Sequence, residues 1–340
     1  MAATSQSLVN DVVLSSTLQR RSQGYENQIS QQIPLFYWLK RKGQYKPVNG
    51  GTRIEWAVEY GLDDSEESYS GYDEFTLPEQ DNVTIAYANW KQAYKSIVIS
   101  GRDRMINTGQ KIFDLLEQKE KNAIESLQQQ MNERFYSDGT GNDSKRVTGL
   151  GAIIAETPTS GTLFGINRAN EVWWRNQYKD TNAAYWDKTN NLPTMRDDMM
   201  QLWIQCGRLA SGGKKDRYPD LILGSENYYM YYDRTCSKIG QRFVNTNAAD
   251  AGFTNLKFMG ATLIHDYDCP QDAGGDEKAY FINSRFMQLK YHPQRNFKVT
   301  ALQSPENQDA FVAKVLWMGE LICTNCAKQG AHLGVKNVSS

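Results

Sequence analysis

Two stretches decide how this chain is read: TRIEWAVEY over residues 52–60 and VTIAYANWKQAYKSIVI over residues 83–99. In the first, Ile54, Trp56, Val58 and Tyr60 alternate with Arg53, Glu55, Ala57 and Glu59, which places two kinds of side chain on the two faces of a β-strand. The second, at about 3.3 Å per residue, spans roughly 50 Å as one strand, well beyond ordinary strand length. Between them residues 63–81 are acidic and interrupted by Gly71 and Pro78. Two long strands joined by an acidic tip describe a projecting ribbon. A two-stranded ribbon is marginal alone in water, so it requires a partner surface.

Charge is segregated around this ribbon. Residues 51–90 hold ten acids against one base, Arg53, whereas residues 1–50 hold six Lys/Arg against two acids, Asp11 and Glu26. Such segregation suits pairing with an oppositely charged neighbour, although a solvated acidic loop carries the same pattern. The candidate contact residues on the ribbon are Asp63, Asp64, Glu66, Glu67, Asp73 and Glu74. On the N-terminal arm they are Arg20, Arg21 and the run Lys40, Arg41, Lys42 that ends at Gly43.

The remaining composition bounds the class. The chain has 340 residues, 40% apolar and 23% charged, which is ordinary for a globular protein. A net charge of −1 argues against a general nucleic-acid or membrane binder. The 19 Tyr and 8 Trp suit a protein with many contacts, because both residues are enriched at interfaces. Five cysteines at irregular spacing favour reduced thiols over a disulfide framework. The N-terminus lacks the basic and apolar regions of a secretory signal, and no window is apolar enough to span a membrane. A soluble, cytoplasmic protein is expected.

Along the chain, residues 1–50 read as an extended arm. Within it the cluster from Ile33 to Leu39 is too short to form a core alone and must bury against another element. The strongest helix runs over residues 108–137, with Asn107 and Thr108 as caps and Gln110 as a capping-box partner. Ile112, Leu115, Leu116, Ala123, Ile124, Leu127, Met131 and Phe135 form its apolar stripe. Residues 139–192 read as irregular. A second helix is expected over 194–210, followed by a βα unit with Leu221, Ile222 and Leu223 as strand and 226–235 as helix. Short strands follow at 256–259, 262–264, 278–282, 286–291, 297–302 and 311–323. The class is α+β.

Catalytic constellations are sparse. Only His265, His292 and His332 are present, and on a strand His265 cannot share a face with Asp266 or Asp268. Cys323 and Cys326 form a single CxxC without the second pair of a zinc ribbon or a thioredoxin-like context. The glycines at 139, 141, 149 and 151 match no phosphate-binding loop. Trp173, Trp174 and Arg175 could stack on a sugar, but buried packing is commoner. No catalytic residue, cofactor or metal ligand is assigned. A cytoplasmic carbohydrate-active enzyme using Asp/Glu pairs is the alternative from a different class.

The order of arm, ribbon, long helix and late sheet resembles the major capsid proteins of tailed bacteriophages, the Hong Kong 97-type fold. The stretches that carry the likeness are NQISQQIPLFYWLKRKG followed by GGTRI, YSGYDEFTLPEQDNVTIAYANWKQAYKSIVISG, GINRANEVWWRNQ and SPENQDAFVAKVLWMGEL. The resemblance implies an N-terminal arm over 1–50, an extended β-hairpin loop over 51–100 and a peripheral domain over 101–194 with its spine helix at 108–137. An axial domain over 195–280 and returning peripheral strands over 281–340 complete it. It also implies a structural, non-enzymatic subunit that self-assembles as hexamers and pentamers into an icosahedral virion shell around double-stranded DNA, put together in the host cytoplasm. Implied partners are a separate scaffolding protein, a portal, decoration proteins and packaged DNA contacted non-specifically, with no membrane. An encapsulin-type compartment shell shares the fold. Some members weld subunits through a lysine on the extended loop. Here no Lys lies between Lys46 and Lys91, so no such cross-link is expected.

Overall fold

The computed structural model describes residues 33–60, 68, 70–71, 82–102, 110–187, 193–208, 218–239, 255–305 and 308–336. Its helices of at least two turns are α1 (Pro34–Arg41), α2 (Gln110–Tyr136), α3 (Thr194–Arg208) and α4 (Glu226–Ile239). Its strands are β1 (Tyr45–Pro47), β2 (Arg53–Glu59), β3 (Val83–Asn89), β4 (Lys91–Ser100), β5 (Thr162–Leu163), β6 (Ile166–Asn167), β7 (Gln177–Ala184) and β8 (Leu221–Gly224). They continue as β9 (Asn255–Phe258), β10 (Ala261–His265), β11 (Glu277–Ile282), β12 (Met287–Tyr291), β13 (Lys298–Val299), β14 (Ala310–Cys323) and β15 (Gly330–Lys336). This is the α+β class expected from the sequence.

Two sheets organise the molecule. In the first, β14 is the axis: β4 lies antiparallel along one side, β12 and β13 lie along the other, and β1 adds in parallel to β12. The second has six strands in the order β7-β15-β11-β8-β10-β9. Its central strands are buried on both faces, and the alternation sorts them between two cores. Leu221, Leu223, Tyr280 and Ile282 face a core shared with α2 and the first sheet. Ile222, Leu263, Ala279 and Phe281 face a second core made with α3 and α4. Strands covered on both faces read as continuous apolar runs, as LIL at 221–223 does.

Helix α2 spans 27 residues, about 40 Å at 1.5 Å per residue. Ala123, Ile124, Leu127, Met131 and Phe135 are buried in the first core, as the stripe predicts. The caps at Asn107 and Thr108 lie outside the described residues, as do the side chains of Ile112, Leu115 and Leu116. The predicted second helix is observed to Arg208. The βα unit is observed at β8 and α4.

Three expectations are corrected. The cluster at 33–39 is not part of an extended arm: it folds as α1, started by Pro34 at its first turn, and buries Leu35, Phe36, Trp38 and Leu39. Phe36 meets Phe135 of α2 at 6.5 Å and Phe297 at 6.3 Å between ring centroids. The run 83–99 is two strands rather than one. It breaks at Trp90, so β3 pairs with β2 whereas β4 pairs with β14 across ten register positions from Ala310↔Ser100 to Gly319↔Lys91. The segment 139–192 is not wholly irregular: the last strand, β15, joins the second sheet between β7 and β11. Its parallel partner β7 lies in the segment read as irregular.

Candidate subunit interface

The hairpin β2–β3 packs one face on the body and turns the other to solvent. Its register pairs Arg53 with Asn89 at the base and Glu59 with Val83 at the outer end, closed by the Tyr60 N–H donating to the Asn82 carbonyl at 3.0 Å. The inner face carries Ile54, Val58, Ala86 and Ala88, all buried. That face is held by the segment 163–174. Trp56 meets Phe164 edge-on at 5.1 Å, Tyr60 stacks on Trp173 at 5.1 Å, and the Tyr87 N–H donates to the Phe164 carbonyl at 3.1 Å. Gly165, at φ +85°, lets the Tyr87 ring approach to where a Cβ would clash.

The outer face is solvent-facing and partly apolar. Val83 and Ile85 are 52% and 64% exposed, with the exposed Ala57 paired opposite Ile85. On β4, Tyr94 and Val98 are 66% and 42% exposed. Apolar side chains grouped on an exposed sheet face mark surfaces that other molecules cover.

At the hairpin base the chain turns through Gly50 and Gly51, both at positive φ, which favours glycine. The Trp90 indole N–H donates to the Gly51 carbonyl at 2.9 Å and its ring meets His292 at 5.9 Å. These residues, with Arg295 and Lys298, line a cleft of about 720 Å³. Among the described residues no carboxylate lines it. Arg295 donates to Gln92 Oε1 at 2.7 Å. Close by, Lys46 and Lys290 are register neighbours on β1 and β12; burial, and then the Lys46 charge, pull the Lys290 pKa down.

The structure places the predicted site residues unevenly. Asp63, Asp64, Glu66, Glu67, Asp73, Glu74, Arg20 and Arg21 lie outside the described residues. Arg41 is exposed and Lys40 half-buried at the end of α1. Lys42 is exposed but pairs within the chain. Its Nζ lies 3.0 Å from Asp220 Oδ2 and 5.3 Å from the centre of the Trp38 ring, so it clasps α1 to the body. The basic cleft was not read from the sequence: His292, Arg295 and Lys298 are unremarkable until β12, the turn after it and the hairpin base are brought together.

The remaining polar groups are built into the fold. His332 is fully buried, bridging Tyr228 Oη at its Nδ1 and Thr181 Oγ1 at its Nε2, each at 2.6 Å, and burial pulls its pKa down to about 4. The Glu320 carboxyl, buried on β14, accepts from the Thr148 N–H at 2.7 Å, and burial pushes its pKa up to about 8. Asp266 accepts from Asn132 at 2.8 Å and Tyr136 at 2.9 Å. All five cysteines are buried free thiols, and Cys323 closes β14. Among the described residues no group of three or more His, Cys, Asp or Glu is placed to hold a metal, and no helix is long and apolar enough to cross a membrane.

No protein-family model and no curated protein matches the sequence. Solved structures do. The capsid asymmetric unit of cyanophage A-1(L) aligns with a TM-score of 0.64 at 17% identity, over 89% of this chain and 93% of that one. A Mycobacterium phage Bobi structure aligns at 0.55 with 11% identity, over 86% and 89% of the two chains. The holo-SrpI encapsulin complex of Synechococcus elongatus PCC 7942 aligns at 0.54 with 14% identity, over 89% and 90%. Across most of its length the chain has the Hong Kong 97-type capsid fold.

Proposed function

We propose that this chain is a structural shell subunit, a major capsid protein that assembles as hexamers and pentamers into an icosahedral virion shell around double-stranded DNA. The observation that carries this reading is the fold itself, shared over about nine-tenths of the chain with phage capsid structures. A hairpin packed on the body by one face, with exposed Val83 and Ile85 on the other, supports it, because exposed apolar groups on a sheet face suit a covering partner. In this reading α2 with the first sheet forms the peripheral domain, and the six-stranded sheet with α3 and α4 forms the axial domain. The β2–β3 hairpin is the stem of the extended loop. The chain acts by contact rather than by chemistry. A separate scaffolding protein, a portal and decoration proteins are the partners of that assembly, put together in the host cytoplasm.

Many moderate, symmetric contacts would hold the shell, with buried aromatics adding strength and charge setting register. The encapsulin alignment keeps a compartment shell as a second reading. Purifying assembled particles and measuring their contents separates the two. Nuclease-resistant duplex DNA supports the virion shell; a protein cargo without DNA overturns it in favour of the compartment.

A further inference from the structure

Cys323 ends β14 in the first sheet, and Cys326 opens the helical turn Cys326–Lys328 that leads to β15 in the second. Both side chains are fully buried, and the Cys323 thiol donates a hydrogen bond to the Cys326 sulfur. We propose that the two form a redox pair: a peroxide oxidises them to a disulfide, with the Cys326 sulfur, set beside the Arg168 guanidinium, as the attacking group. The modification sits on the connection between the two sheets and does not depend on the shell-subunit reading.

Arg168 singles out this pair among the five cysteines. It is 3% exposed; its Nη groups donate to the carbonyls of Ala152 and Ile153 at 2.9 Å and 2.5 Å, and its Nε meets no acceptor oxygen. Among the described residues no carboxylate pairs with it. A buried charge without a counter-charge is costly, and the ionisable groups beside this one are the two thiols. Burial pushes both thiols up. At Cys326 the hydrogen bond from Cys323 and the Arg168 charge outweigh burial and hold it below the ordinary thiol value, whereas Cys323 stays well above. The two sulfurs therefore differ as an attacking and a resolving thiol must.

Full burial excludes bulky disulfides but admits an oxidant close to water in size. The Cys326 thiolate attacks one oxygen of hydrogen peroxide, the O–O bond breaks, and the departing hydroxide takes up the proton that the thiol released, giving a sulfenic acid and water. The Cys323 sulfur then attacks the sulfenic sulfur, and its proton leaves with the second oxygen as another water. The two thiols are oxidised to one disulfide, and the peroxide is reduced to water.

The test treats the folded full chain with hydrogen peroxide, quenches it in acid, alkylates it in denaturant and digests it with trypsin. Cleavage after Lys314 and Lys328 leaves both cysteines on one peptide, residues 315–328. By mass spectrometry that peptide is expected unalkylated and two hydrogens lighter, before Cys206, Cys236 and Cys269 react. Cys323→Ser should stop at the sulfenic acid on Cys326, captured by dimedone, and Cys326→Ser should leave Cys323 reduced. Arg168→Met should slow oxidation at neutral pH at least about fivefold, with Arg168→Lys recovering part of the rate. Circular dichroism checks that each variant folds, and the Cys variants keep the test decisive if Arg168→Met does not. A 315–328 peptide that stays alkylated, or equal oxidation of all five cysteines, overturns the proposal. So does a folded Arg168→Met chain that oxidises at the parent rate, or modification by glutathione disulfide as fast as by peroxide.

Discussion

Lys42 and Asp220 form an ion pair at 3.0 Å that closes α1 onto the body, across 178 positions of sequence. Asp220 does more than pair. The same carboxylate accepts from the Trp38 indole N–H at 3.1 Å, the Ser284 hydroxyl at 2.6 Å and the Ser284 N–H at 2.8 Å. Lys42 is 44% exposed, which screens its contribution. Asp220→Ala should therefore lower stability by about 1–3 kcal/mol, because it strands donors of Trp38 and Ser284. Lys42→Ala should remain within about 1 kcal/mol of the parent chain. Denaturant unfolding of the two variants measures the difference; equal losses would mean that the ion pair, not the hydrogen-bonded carboxylate, holds α1.

Two buried groups give stability opposite pH slopes. The His332 pKa is pulled down to about 4 by burial, so the folded chain keeps it neutral while the unfolded chain takes a proton near 6.5. That contribution is present above about pH 6.5 and is lost as pH falls towards about 4. The Glu320 pKa is pushed up to about 8, so the fold keeps its proton while the unfolded chain releases it near 4.5. Its contribution is complete below about pH 4.5 and is lost as pH rises to about 8. Melting temperature followed across pH should show Glu320→Gln flattening the alkaline limb and His332→Gln flattening the acid limb. A Glu320→Gln profile parallel to that of the parent chain would remove Glu320 as the cause.

The outer face of the hairpin should matter to association and not to folding. Ile85→Lys and Val83→Lys replace exposed side chains, so melting should shift by less than about 0.5 kcal/mol in stability. The concentration needed for assembly, read by light scattering, should rise several-fold. Unchanged assembly would mean that this face remains in solvent in the shell.

Reversing Asp63, Asp64, Glu66 and Glu67 to Lys should weaken assembly, and the difference from the parent chain should shrink as salt rises, since screened charges contribute less. Light scattering across a salt series measures this. Normal assembly by the reversed chain at low salt would dismiss an electrostatic role for the loop.

Much of this architecture was legible because local patterns and burial agree. Leu127 and Phe135 sit on a clean helical stripe, and β2 alternates as its two faces demand. The failures have physical causes. The β-favouring run of 83–99 has no glycine or proline near Trp90, so no turn former marks the point where the strand leaves one partner for another. That break is set by the indole N–H held at Gly51 and by β14 competing for β4. Strand β7, QYKDTNAA, is polar and lacks alternation; it exists because β15, about 150 residues later, offers a parallel ladder. The segment Pro34–Leu39 is too short to predict as a helix on its own and is stabilised by tertiary burial of Phe36 and Leu39. Of the candidate interface, the acidic run and the ribbon were visible, whereas the basic cleft was not, because it joins residues near 50, 90 and 295.

Whether this chain builds a closed shell can be seen by negative-stain electron microscopy of the purified protein. Megadalton shells of uniform diameter, or free hexameric and pentameric rings where a scaffolding protein is lacking, are expected. A compact monomer at every concentration, with a deep carboxylate-lined pocket and turnover of a glycoside, would contradict shell assembly.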